Sequence, residues 1–179
     1  MYYAKSSNEH HGKITNKEHC EKVGYLAEKY GEEIGRPNEA KAEGILHDFG
    51  KYGDVFADVL AGKIRHVDHA FPGAAYLYVS TRQACAKNRV SWEKYEPAIV
   101  PIIESVMGHH DGLVSVQSQD IQERLRITYE SEDADCCQSG KFPSLRGENA
   151  FSNARNAFKA DFPKFKFPVL PPRIYENEV

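Results

Sequence analysis

The sequence predicts an all-α fold, a single packed helical domain. Three observations carry that expectation. Apolar residues recur at three-to-four spacing through most of the 179 residues. A capping box at Thr15-Asn16-Lys17-Glu18 and prolines at helix-opening positions mark where helices begin. No stretch alternates as a half-buried strand does, and there is no repeat or low-complexity tract. The length suits one domain, and the apolar share of 41% is ordinary for a globular chain. No apolar run approaches the ~20 residues a membrane span needs, and Met1-Tyr2-Tyr3-Ala4-Lys5 lacks a signal-peptide core. A cytoplasmic protein is therefore expected. The cysteines Cys20, Cys85, Cys136 and Cys137 form no C-x-x-C pattern and read as free thiols.

Taken in order, Tyr2 to Gly12 reads as irregular. The capping box opens a helix from about Asn16 to Ile34, with Val23, Leu26, Ala27 and Tyr30 as its buried stripe and His19 on the same face. Gly35 and Pro37 stop it. Asn38 caps a second helix, about Glu39 to Phe49, which carries Ala42, Ile45, Leu46 and His47. Gly50 ends that helix by tolerating the left-handed conformation of a terminus. Asp54 caps a short helix through Leu60, and residues 62–66 are loop. Pro72 sits in the first turn of a long helix with Ala74, Ala75, Leu77 and Tyr78, placing His69 at its start. Residues 88–95 read as a loop with a turn around Trp92. Pro97 opens the next helix, with Ile99, Ile102, Ile103, Val106 and Met107, and Gly108 breaks it. Ser118 caps a helix from Gln119 to about Gln138, and a shorter one spans about Asn149 to Ala160. The end, with Pro163, Pro168, Pro171 and Pro172, should be extended.

The net charge is −3, unevenly spread. Between Lys141 and Arg173 seven basic residues face two acids, a local +5. Such a segment suits a polyanionic ligand, or is a solvated basic tail.

Candidate metal ligands gather at helix ends and inward faces: His19, the pair His47-Asp48, His69 and the pair His109-His110, with Asp133 or Asp135 downstream. Imidazoles favour transition metals over magnesium or calcium, and the two oxygens of Asp48 can bridge two ions. His66 competes with His69 as a ligand, and His10-His11 are the weakest candidates.

The order His19…His47-Asp48…Asp135 resembles the H…HD…D pattern of the HD metal-dependent phosphohydrolase superfamily. Three stretches resemble, more closely, the CRISPR-associated HD nuclease, the nuclease part of the type I interference helicase–nuclease. They are Leu46-His47-Asp48-Phe49-Gly50-Lys51-Tyr52, Val67-Asp68-His69-Ala70-Phe71-Pro72-Gly73-Ala74 and Gly108-His109-His110-Asp111-Gly112-Leu113; Ala4-Lys5-Ser6 also fits. The resemblance covers roughly residues 2 to 140, making 13–140 the domain core and 141–179 a basic, proline-rich C-terminal segment. It implies an HD fold, two divalent transition-metal ions (Mn, Fe, Co or Ni) and single-stranded DNA as substrate. His19, His47, Asp48 and Asp135 would hold the first ion, and Asp48, His69, His109 and His110 the second. Ala134-Asp135 is followed by Cys136-Cys137 where the family carries an aromatic residue, so Asp133 stays open as the last ligand. The segment after Ser139 has no family match. No Walker A stretch is present, so a stand-alone nuclease subunit or a fragment of a longer helicase–nuclease is expected; the resemblance implies a helicase subunit or domain and the CRISPR effector complex as partners.

Phosphodiester hydrolysis needs a nucleophile at neutral pH and neutralisation of the scissile phosphate, and a metal pair supplies both. Asp48 would set the metal spacing, and Lys51 would meet a phosphate oxygen; alternatively Lys51 is a helix-end lysine on the dipole. A metal-dependent DNA nuclease is the first reading. An HD phosphohydrolase acting on a nucleotide or cyclic dinucleotide, and a non-catalytic metal-binding module, are its competitors.

Overall fold

The computed structural model describes residues 1–7, 12–110, 112, 121, 123, 125, 144–147 and 149–168. Helix α1, Asn16–Glu33, starts at the capping box: the Glu18 amide donates to Thr15 Oγ1, and the Thr15 amide donates to the Glu18 carboxylate. Its inward face differs from the expected one. Cys20, Gly24 and Gly31 are buried, whereas Leu26 and Tyr30 are 52% and 69% exposed. The reason lies in how α1 meets α2, Pro37–Leu46. The two helices cross backbone to backbone at Gly24 and Gly44. A Cβ on Gly44 would lie 2.8 Å from the Gly24 Cα. A crossing that close selects the face of small residues and leaves the face of large ones outside.

Helix α2 ends at Leu46, and a 3-10 turn, Phe49–Tyr52, follows His47 and Asp48. Gly50 is inside that turn and its φ is not positive. It is glycine for a different reason than expected: a Cβ there would meet the His69 carbonyl oxygen at 2.3 Å. The turn therefore lies directly on the start of α4. Helix α3, Asp54–Leu60, is short, and Gly53 rather than Asp54 is its N-cap residue. Helix α4, Ala70–Asn88, has His69 at its N-cap, while Asp68 Oδ1 accepts from the Ala70 amide. Helix α5, Trp92–Gly108, begins five residues before Pro97. Pro97 and Pro101 are tolerated inside it on its exposed side.

Helix α6, Ala150–Asp161, closes the core. Phe151 and Phe158 are buried against Phe49 and Tyr76, with Phe49–Tyr76 ring centroids 4.6 Å apart. The Tyr52 hydroxyl donates to Asp161 Oδ2 at 2.8 Å and ties α6 to the turn. The buried centre, including Leu46, Phe71, Leu77, Ile99, Ile103 and Val106, is one cluster, and Phe162, Phe165 and Phe167 pack on its edge. One feature had no sequence signal: β1, Tyr3–Lys5, and β2, Ile14–Thr15, form a small antiparallel ribbon beside α1. The fold is all-α despite it. The expected helix 119–138 falls mainly outside the described residues.

Candidate metal centre

Five histidines and Asp48 converge where α1, α2, α4 and the end of α5 meet. His19 projects from the first turns of α1, and the Gly24–Gly44 crossing brings it to His47, with 3.2 Å between their Nε2 atoms. His47 caps the C-terminus of α2, and His109 caps that of α5. His69 is pressed in by the Gly50 contact.

Asp48 lies at the middle, 1% exposed. Its Oδ2 is 3.0 Å from His19 Nε2, 3.2 Å from His47 Nε2 and 2.7 Å from Lys51 Nζ. Its Oδ1 is 3.2 Å from His69 Nε2 and 3.7 Å from His109 Nε2. His110 reaches the same place through His69, at 2.8 Å between Nε2 atoms. Two ligand groups result, His19-His47-Asp48 and Asp48-His69-His109-His110, and they share Asp48.

The tautomers decide what such a cluster can hold. His47 Nδ1 lies 2.8 Å from the Gly44 carbonyl, His69 Nδ1 3.1 Å from that of Val67, and His109 Nδ1 2.7 Å from that of Val106. A carbonyl only accepts, so each Nδ1 carries the hydrogen, and Nε2 of the neutral ring presents a lone pair. Three lone pairs then face carboxylate oxygens. Asp48 Oδ1 and His109 Nε2 are both buried without a hydrogen-bond partner. Acceptors crowded against acceptors need a cation between them, and carbonyl-anchored imidazoles are the usual support of metal ligands. The donor set fits one or two divalent transition-metal ions.

Burial pushes the Asp48 carboxyl up, but His109, His19, His47 and His69 outweigh it and hold it well below the usual carboxylate range. Burial, then His109 and His69, push the His110 imidazole down, towards the neutral form a metal requires. Burial opposes protonation of His109, and the Asp48 carboxylate and Val106 carbonyl outweigh it, leaving its pKa raised.

Of the expected residues, His19, His47, Asp48, His69, His109 and His110 are brought together. Lys51 is there too, but buried with its ammonium held by Asp48 rather than reaching outward. His66 is exposed and outside the cluster. Asp133, Asp135, His10 and His11 lie outside the described residues. Sequence reasoning missed Asn16. It is fully buried, and its Nδ2 donates to the Asp48 carbonyl at 3.2 Å, anchoring the backbone that carries the central carboxylate. The signal was its place one turn before His19 on the inward face.

A helical bundle with two histidine groups on one shared aspartate defines a metal-dependent hydrolase. The chain belongs to the HD-domain family, whose model matches residues 16–137. It is a member of the metal-dependent phosphohydrolase superfamily of that name. No curated protein and no solved structure matches it.

Proposed function

We propose that the protein is a nuclease that hydrolyses phosphodiester bonds of single-stranded DNA with two divalent transition-metal ions. The observation that carries this reading is the sharing of Asp48 between two groups of histidines, which offers more ligands than one ion needs. His19, His47 and Asp48, completed by Asp135, would hold one ion; Asp48, His69, His109 and His110 would hold the other. Bound there, the pair lowers the pKa of a water and neutralises charge on the scissile phosphate. Asp48 would be a ligand common to both ions. The neutral histidines leave the cations' charge uncancelled, and their bonds to the Gly44, Val67 and Val106 carbonyls keep them aimed. Lys51, its ammonium 2.7 Å from Asp48 Oδ2, adds positive charge inside the centre.

The order and spacing of the three motif stretches support a place in type I CRISPR interference, in the cytoplasm, with a helicase subunit or domain and the effector complex as partners. A recessed site admits one flexible strand more easily than a duplex whose persistence length is ~150 bp. The test is cleavage of single-stranded DNA, duplex DNA and a cyclic dinucleotide by protein loaded with manganese or nickel, with metal content measured in parallel. Two ions per chain and preferential single-strand cleavage are expected. One ion at saturation, with hydrolysis only of the cyclic dinucleotide, would replace this reading with a nucleotide phosphohydrolase. Two bound ions with no hydrolysis would leave a metal-binding module.

A further inference from the structure

The backbone that carries the central carboxylate is held at both ends by side chains that belong to neither ligand group. Asp48 is the residue at which the chain leaves α2 and enters the 3-10 turn, Phe49–Tyr52. Its carboxylate can serve both ligand groups only if this backbone is fixed. At the near end of the turn, the Asp48 carbonyl accepts from the Lys51 amide at 3.0 Å and from Asn16 Nδ2 at 3.2 Å. Two bonds occupy both lone pairs of that oxygen. At the far end, the Tyr52 hydroxyl donates to Asp161 Oδ2 at 2.8 Å and so binds the turn to α6. The Asn16 side chain also interacts with the Tyr52 hydroxyl. That hydroxyl gives its hydrogen to Asp161, so it presents a lone pair to Asn16, which suits the second hydrogen of the amide.

Capping and packing do not account for these polar groups. Thr15, not Asn16, caps α1. Asn16 is fully buried and Tyr52 is 2% exposed. A buried amide is costly unless its bonds are made, and an apolar side chain of similar volume fills space without that demand. The Tyr52 ring packs on the rings of Tyr2, Phe49 and Phe158, which a phenylalanine would do as well. What the amide and the hydroxyl add is a fixed place for Asp48. We propose that Asn16 and Tyr52, with Asp161 behind it, are positioning residues of the metal centre. They hold the Asp48 carboxylate so that Oδ2 faces His19 and His47 while Oδ1 faces His69 and His109. Because Asp48 is common to both groups, loosening it weakens every bound ion, whereas loss of one outer histidine weakens one.

The inference rests on the metal centre but not on the nuclease reading, and it is tested without nucleic acid. Full-length protein is titrated calorimetrically with manganese, and its denaturation midpoint is measured in chelator on the same preparation. Asn16→Asp keeps the size of the side chain but sets an oxygen against the Asp48 carbonyl. It should weaken manganese by about 10- to 100-fold, the loss that follows removal of an outer support, with the number of ions unchanged. Tyr52→Phe removes one oxygen and keeps the ring, and should weaken manganese by about 3- to 10-fold, the worth of one hydrogen bond. Asp161→Asn keeps an acceptor for Tyr52 and should bind manganese as the unaltered protein does. Ile99→Val, a buried core change away from the turn, should lower the midpoint and leave manganese affinity alone. Tyr52→Phe protein that behaves like Ile99→Val, less stable but with normal affinity, overturns the proposal even if Asn16→Asp does not fold. Weakening of one ion with the other unaffected also overturns it, since a shared carboxylate cannot loosen for one group alone. Unaltered protein that binds no manganese overturns the metal centre and this inference together, whereas normal binding by the variants overturns this inference alone.

Discussion

Asp48 contacts four imidazoles and one ammonium from a carboxylate of two oxygens, so its removal should act on the whole centre at once. Asp48→Ala is expected to cut bound metal to near zero and phosphodiester cleavage to background, with far-UV helicity retained; near-normal cleavage would exclude the shared role. His69→Ala or His109→Ala touches one ligand group, and should release one ion while the other stays. Metal affinity there should fall by more than the ~10- to 100-fold that loss of an outer supporting partner costs. A variant that only melts earlier, with its metal stoichiometry intact, would make these core histidines. At this scale the centre was largely legible in the sequence, because few residue types ligate metals and His47-Asp48 and His109-His110 are adjacent pairs. Asn16 was legible only as an inward-facing polar residue one turn before His19. Its bond runs to a backbone atom 32 residues away, and such a bond leaves no spacing pattern.

The helices are placed by contacts that leave no room for a Cβ, and this makes the site sensitive to residues that never touch it. Gly44→Ala would force α1 and α2 apart at the crossing that sets His19 against His47. Overpacking of this kind costs about 1–3 kcal/mol. The expected result is a lower denaturation midpoint together with weaker metal binding, measured by denaturant titration and metal calorimetry on one sample. Lower stability with unaltered affinity would show that the crossing does not aim the ligands. Element order and most boundaries followed from caps and apolar spacing. The errors share a cause, which is tertiary override of a local rule. The α1 stripe was assigned to Val23, Leu26, Ala27 and Tyr30 from their three-to-four spacing, whereas close helix approach buries Cys20, Gly24 and Gly31. Gly50 was assigned to a conformational need that a contact with His69 supplies instead. Pro97 was read as a helix start, yet an exposed helix side accommodates it.

Across the whole molecule, the described part of the basic C-terminal segment sets buried rings beside exposed lysines. Phe151 and Phe158 are core residues, so they cannot stack on a strand, while Lys159, Lys164 and Lys166 remain exposed. If those lysines meet phosphates, neutralising all three should lower single-strand affinity and flatten its salt dependence by up to roughly 0.7 per lost contact. Binding measured at two salt concentrations decides this, and an unchanged slope would assign the segment to a protein partner. Sequence alone could count these charges but could not sort the phenylalanines, since burial depends on where α6 docks, and the bond from Tyr52 to Asp161 that docks it spans 109 residues.

The carbonyls that fix His47 and His109 belong to the last turns of α2 and α5. Both helices thus direct their negative poles, each worth on the order of half an elementary charge, at the same point as Asp48. The protein builds this field before any ion arrives. It draws cations in and opposes anions, so on the nuclease reading metal would load before a phosphodiester could approach.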